Sequence, residues 1–149
     1  MIKQKLQDDI KAAMLSGDRL RVETLRGLKS VILYAEVAAG KREEGLEDAE
    51  IEALFAREAK KRQESADLYV QGQAQDRADK ELSEKAIIEE YLPEQMSEAD
   101  IVVVVEKTIA ELGVSGSRAM GQVIGKVKGV VGNTADGAVI ARIVKEKLL

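Results

Sequence analysis

The chain has 149 residues, of which 45% are hydrophobic and 34% are charged, and its formal net charge is −4. It contains no Cys and no His, which excludes disulfides, thiolate chemistry, histidine general bases and zinc sites of the Cys/His type. With one Phe, three Tyr and no Trp, it also offers few aromatic faces for stacking single-stranded bases. We therefore predict an aliphatic core, no catalytic residues, no metal and no cofactor.

Positive charge is concentrated near the C-terminus. Residues 1–92 hold 16 Lys and Arg against 20 Asp and Glu, whereas residues 113–149 hold six basic residues and two acidic ones. Such asymmetry is typical of a segment that meets an anionic partner. The alternative is a solvated helix end whose cations complement the helix dipole.

Apolar residues recur with helical spacing along nearly the whole chain. In residues 1–92 the pattern predicts four helices, which run up to Gly17, from Asp18 to Gly40, over 48–71 and over 78–91. Pro93 ends the fourth helix, because proline lacks a backbone donor and restricts the residue before it.

The segment 94–96 follows the only proline and marks the predicted domain boundary, with domains at 1–92 and 93–149. Three further helices are predicted at 97–112, at 117–130 and from Thr134 or Ala135 to 148. Ser97 and Asp136 are the predicted helix caps. The β-branched run 102–105 favours a strand by propensity, but the caps and spacing around it favour a helix. The predicted fold class is therefore all-α, with about four helices followed by three.

Three glycines recur every four residues in the predicted sixth helix, at Gly121, Gly125 and Gly129. Each glycine in a helix interior costs about 1 kcal/mol relative to Ala, so we expect a neighbour to approach the backbone closely. We predict tight packing against another helix. The alternative is approach by a nucleic-acid backbone, with Lys126 and Lys128 supplying positive charge.

Other polar groups in the sequence do not indicate catalysis. Neighbouring carboxylates such as Glu89 and Glu90 point about 100° apart on a helix and do not converge. Ser117 lies at a predicted helix start, where serine is typically a cap.

The sequence also carries signals about location. The N-terminal segment mixes Lys3, Lys5 and Asp8 with apolar residues, unlike a secretory signal. The longest aliphatic run, residues 101–105, is too short to cross a membrane. We therefore expect a cytoplasmic protein with no membrane contact.

Taken together and in order, several segments resemble the YqeY family. These are Arg26-Gly27-Leu28-Lys29-Ser30, Lys60-Lys61-Arg62-Gln63-Glu64-Ser65, Tyr91-Leu92-Pro93, Met96-Ser97-Glu98, Met120-Gly121-Gln122-Val123-Ile124-Gly125 and Ala135-Asp136-Gly137. The last third of that family is similar to the tail domain of the GatB subunit of glutamine-dependent tRNA amidotransferases. The resemblance implies a helical N-terminal part and a three-helix GatB-tail-like module. In the amidotransferase, that tail contacts the tRNA body, and the chemistry lies elsewhere.

The resemblance implies a non-catalytic protein that binds tRNA or assists a tRNA amidotransferase. The predicted RNA contacts are Arg118, Lys126, Lys128, Arg142 and Lys145, with Lys60, Lys61 and Arg62 as a second patch. One alternative is a helical module that binds a protein partner through the glycines or the second patch. A further alternative is a free-standing amidotransferase with glutamine as amido donor, for which the residues offer no catalytic support.

Overall fold

The computed structural model describes all 149 residues, Met1–Leu149, and its regular structure is entirely helical, which confirms the predicted fold class. The α-helices are α1 (Ile2–Ser16), α2 (Arg19–Ala38), α3 (Asp48–Gln71), α4 (Gln75–Glu89), α5 (Glu98–Leu112), α6 (Met120–Val131) and α7 (Gly137–Leu148). Short 3₁₀ turns precede and follow α6, at Ser117–Ala119 and Gly132–Thr134. The β-branched run 102–105 lies inside α5.

Local signals set several helix ends. Gly17 and Gly113 adopt left-handed backbone conformations, with φ of 75° and 63°, and end α1 and α5. The side chains of Asp18, Ser97 and Asp136 each accept a hydrogen bond from a backbone N–H in the first turn of the helix that follows.

Three helix starts differ from the sequence prediction. Helix α6 begins at Met120 rather than at 117, because a 3₁₀ turn occupies Ser117–Ala119. Helix α4 begins at Gln75 rather than at 78, because Gln73 takes a positive φ of 59° and lets the chain reverse directly after α3. Helix α7 begins at Gly137 rather than at Thr134 or Ala135, because a 3₁₀ turn occupies Gly132–Thr134.

The chain divides into two compact units, Met1–Leu92 with α1 to α4 and Pro93–Leu149 with α5 to α7. In the first unit, α3 and α4 form a long helical hairpin, and α2 packs on α1, α3 and α4. Its buried core consists of Leu6, Ile10, Leu25, Leu28, Ile32, Ile51, Phe55, Ala59, Ile88 and Tyr91. The rings of Phe55 and Tyr91 meet edge to face at 5.9 Å, and the Tyr91 hydroxyl donates a hydrogen bond to Asp9 of α1.

In the second unit, α5, α6 and α7 each pack against the other two. Their buried residues are Ile101, Val105, Ala119, Val123, Val127, Val131, Ile140, Ile143, Val144 and Leu148. The backbone N–H of Met96 donates to the carbonyl of Thr134 at 2.8 Å, which fixes the start of the unit to the α6–α7 connection. The two units share no core residue.

None of the helices combines the length with the apolar content that crossing a lipid bilayer requires.

Candidate nucleic-acid interface

In the second unit, acidic side chains of α5 neutralise the cations nearest to them. Three ion pairs reach from α5 to the helices beside it: Glu98 to Arg142 at 2.5 Å, Glu106 to Lys147 at 2.9 Å and Glu111 to Lys126 at 3.6 Å. The hydrogen bond from Arg142 to Glu98 raises the pKa of that guanidinium further above its ordinary value. The sides of α6 and α7 that reach towards α5 therefore carry little uncompensated positive charge.

Four other cations of this unit are exposed and form no ion pair within the chain: Lys107 of α5, Arg118, Lys128 and Lys145. Lys128 lies against Gly137, where a Cβ would be 3.3 Å from the lysine Nζ, so Lys128 projects from the side of α6 that faces α7. Lys145 is exposed in the last turn of α7, about two turns beyond Gly137. Arg118 belongs to the 3₁₀ turn before α6, and that turn contacts α7. Three of the four unpaired cations thus belong to α6, to the turn before it or to α7, and the fourth lies on α5.

The three glycines of α6 are exposed and lie in one row on its outward side. No atom of the chain lies within 4 Å of a Cβ built at Gly121, Gly125 or Gly129, apart from each glycine's own immediate helix surroundings. The predicted tight packing of this row against another helix of the chain is therefore wrong. The reason is that α6 packs inward through its valines at 123, 127 and 131, which are on the opposite side.

Lysines flank the glycine row on both sides. Lys126 reaches to Glu111 of α5, and Lys128 lies against the start of α7. The backbone of α6 is thus open to close approach between them. We use the name α6–α7 face for the glycine row together with the three unpaired cations of α6, α7 and the turn before α6: Arg118, Gly121, Gly125, Lys128, Gly129 and Lys145.

The second predicted patch, Lys60, Lys61 and Arg62, does not form an open cationic surface. Arg62 lies between α3 and α4, with its Nε 2.8 Å from Glu84 and 3.7 Å from Glu81, and its Nη1 3.6 Å from Glu58. Lys61 also pairs with Glu58, at 3.2 Å.

Consecutive helical residues point in different directions, and Arg62 faces α4, so adjacency in the sequence does not place the three cations on one surface. Because Arg62 and Lys61 are already neutralised within the first unit, we do not retain this patch as an RNA contact. Two residues of the C-terminal set, Lys126 and Arg142, are set aside for the same reason, which leaves Arg118, Lys128 and Lys145.

The sequence did not predict that glutamates of α5 neutralise some of these cations and leave others unpaired. The only signal of this neutralisation in the sequence was the balance of seven basic and seven acidic residues over 93–149. That balance does not show which cation each glutamate reaches. Nowhere in the structure do three or more carboxylates converge in a way that could hold a metal ion.

These observations define an all-helical protein of two compact units, the second of which presents unpaired cations beside an open glycine row. The chain belongs to the YqeY-like protein family, whose model matches residues 3–148, and the resemblance identified from the sequence is confirmed.

Two curated relatives from yeasts are similar to this chain, and both are named altered inheritance of mitochondria protein 41, mitochondrial. The protein from Lachancea thermotolerans is 32% identical over 109 residues, which cover 72% of this chain and 57% of the relative. The protein from Kluyveromyces lactis is 31% identical over 86 residues, which cover 58% of this chain and 45% of the relative. The chain thus spans about half the length of the curated relatives it matches.

The relatives correct one expectation from the sequence. A cytoplasmic location was expected, but both relatives are named as mitochondrial proteins, so that expectation is wrong.

Proposed function

We propose that this protein binds tRNA without catalysing a reaction on it, and that the α6–α7 face is the contact surface. The observation that carries the proposal is the set of three exposed cations, Arg118, Lys128 and Lys145, that no carboxylate of the chain neutralises. Contacts to phosphates supply most of the affinity of nucleic-acid binding. A cation already held by a glutamate must give up that partner first, so unpaired cations are the ones best placed to contact phosphates.

The exposed glycine row supports the proposal that a partner approaches the backbone of α6. Each of these glycines costs about 1 kcal/mol of helix stability relative to Ala, and the chain packs nothing against them in return. Without Cβ atoms, the helix surface between Lys126 and Lys128 can come close to a sugar–phosphate backbone. Recognition of shape and backbone is the usual way in which proteins bind structured RNA.

The resemblance of the last third of the chain to the GatB tail points to the same class of ligand. In the amidotransferase, that tail contacts the tRNA body. The second unit corresponds to this region and contains the entire α6–α7 face. The proposal therefore assigns phosphate contacts to the second unit and none to the neutralised cluster at Lys61 and Arg62 of the first.

The proposal is tested by titrating a fluorescently labelled tRNA transcript with the full-length protein and measuring anisotropy between about 50 and 200 mM salt. Each phosphate contact contributes roughly 0.7 to 0.9 to the salt slope, so three contacts predict a log–log slope between about −2 and −3. No binding at low salt, or an affinity that does not change with salt, would contradict the proposal.

Two further measurements separate the alternatives. Recovery of a stable protein partner from nuclease-treated extract, together with no tRNA binding, would replace RNA with a protein as the ligand. Amide transfer by the purified protein, incubated with glutamine, ATP and misacylated tRNA, would contradict the non-catalytic role.

A further inference from the structure

The first unit contains a cavity of about 440 Å³ between α1 and α2, with the loop between α2 and α3 at its edge. Its apolar surface comes from Leu6 and Ile32, which are buried, and from Leu33, which is 45% exposed. The opening is therefore a partly apolar cleft whose volume lies within the range of small-molecule sites.

Three cations and a single carboxylate line this cavity: Lys3, Lys29, Arg42 and Glu36. The carboxylate is buried, and its Oε2 accepts hydrogen bonds from Lys3 Nζ at 2.8 Å and from the N–H of Leu46 at 3.1 Å. The bond from Lys3 lowers the pKa of Glu36 against the effect of burial, and the bond from Leu46 lowers it further. Because Lys3 neutralises the charge of Glu36, the net charge of the lining is positive and comes from Lys29 and Arg42.

Neither of these two cations is neutralised by the chain. Lys29 Nζ donates to the neutral side-chain oxygen of Gln7 at 3.0 Å, and Arg42 forms no ion pair. An arginine fork matches the two oxygens of a carboxylate or the oxygens of a phosphate. An anion that meets both cations would therefore gain contacts that the chain leaves open.

The loop that carries Arg42 is anchored to this cavity. Glu36 binds the N–H of Leu46, and Gly45 takes a φ of 79° beside it. A Cβ at Gly45 would lie 3.1 Å from the Oε2 of Glu36, closer than an ordinary contact. Glu36 thus holds the loop against α2, which keeps Arg42 at the edge of the cleft.

We propose that this cavity binds a small organic anion, with its acidic head at Lys29 and Arg42 and its apolar body against Leu6, Ile32 and Leu33. An RNA phosphate would meet the cations but would leave the apolar surface uncovered. A neutral apolar ligand would leave the two cations without a partner. This inference goes beyond tRNA binding and does not depend on it.

The test uses full-length protein labelled with ¹⁵N, and the probes are hexanoate, acetate and inorganic phosphate. Hexanoate is expected to shift the amide resonances of Lys29, Leu33 and Arg42 to saturation. It should bind more tightly than acetate, since each fully buried methylene contributes about fourfold in affinity.

Variants of the lining residues distinguish the binding of the ligand's acidic head from the binding of its apolar body. Arg42→Gln and Lys29→Gln should each weaken hexanoate binding by about tenfold, the effect of losing one charge-assisted contact. Leu33→Asn should weaken hexanoate but not acetate. Lys11→Gln, which removes an exposed cation of α1 outside the cavity, is the matched control and should change neither.

Three outcomes would overturn the inference. One is no saturable shift with hexanoate at the cavity residues. Another is hexanoate binding no more tightly than acetate or inorganic phosphate, which would show that only charge is recognised. The third is a loss in Lys11→Gln equal to that in Arg42→Gln. If Arg42→Gln leaves the tRNA affinity unchanged, the cavity is separate from the tRNA contact surface. Failure of the small-anion proposal would then not contradict the proposed function.

Discussion

The two groups of cations proposed from the sequence differ in how many of their charges the structure neutralises. In the first unit, Arg62 lies within 3.7 Å of carboxylates from Glu58, Glu81 and Glu84. In the second, the α6–α7 face keeps three cations that no carboxylate reaches. A run of Lys and Arg in a sequence is therefore a weak guide to a binding surface. Whether such cations are available to a ligand depends on which carboxylates the neighbouring helices place beside them.

The two units also pack around separate cores. Phe55, fully buried in the first core, is the only Phe of the chain. We propose that the units are domains that can unfold separately, and Phe55→Ala is the largest perturbation of one core. It should destabilise the first unit by about 3–5 kcal/mol and leave the second folded.

Denaturant titration can follow the two units separately, since all three Tyr, at 34, 69 and 91, belong to the first. In Phe55→Ala, tyrosine fluorescence should report unfolding at lower denaturant than the loss of the remaining helical circular dichroism. Coincident loss of both signals in the variant would show one cooperative structure.

The glycine row gives the next largest expected effect. Replacing Gly121, Gly125 and Gly129 together with Ala should stabilise the second unit by up to about 3 kcal/mol, because the added Cβ atoms meet no other part of the chain. The same variant should bind tRNA more weakly, because those atoms occupy the surface open to the RNA backbone. Circular dichroism in denaturant and anisotropy check the two effects. A destabilised variant would show that the row packs against something within the protein.

The neutralised cluster predicts a smaller loss. Arg62→Gln leaves Glu58, Glu81 and Glu84 close together without their shared cation, and should destabilise the first unit by about 1–2 kcal/mol. Arg57→Gln is the matched control, since Arg57 is exposed on the same helix without an ion pair, and should stay within about 0.5 kcal/mol of wild type. Equal stability of the two variants would mean that Arg62 is not held as the structure shows.

The smallest expected effect is a pH dependence from Glu36. Its pKa is lowered below the ordinary value of 4.5, so its stabilisation is complete above that pH and is lost as the pH falls through the lower, folded-state value. Between about pH 6 and pH 3, wild type should lose about 1 kcal/mol more stability than Glu36→Gln, which keeps an acceptor for Leu46 but carries no charge. Parallel pH profiles from thermal unfolding of the two proteins would contradict this assignment.

The sequence predicted those features of the fold that depend on nearby residues. Gly17 and Gly113 ended their helices where expected, because left-handed glycine caps are local signals. The starts of α4, α6 and α7 were wrong, because a positive φ at Gln73 and the 3₁₀ turns at Ser117–Ala119 and Gly132–Thr134 have no comparable signature.

The candidate site was less predictable because it depends on distant partners. Arg142 is neutralised by Glu98, which lies 44 residues earlier in the chain. The outward direction of the glycine row follows from which side of α6 is buried, and glycine spacing alone leaves that undecided. The small-ligand cavity likewise joins residues of α1, α2 and a loop that no short motif connects.

Two triple variants of equal charge change test most directly whether unpaired cations, rather than net charge, bind tRNA. Arg118→Gln, Lys128→Gln and Lys145→Gln remove the unpaired cations of the α6–α7 face, whereas Lys126→Gln, Arg142→Gln and Lys147→Gln remove those paired with α5. The first set should lower tRNA affinity by at least about tenfold and flatten the salt slope by about 2, and the second should change affinity by less than about threefold. Equal losses in both variants, or no loss in the first, would contradict the account.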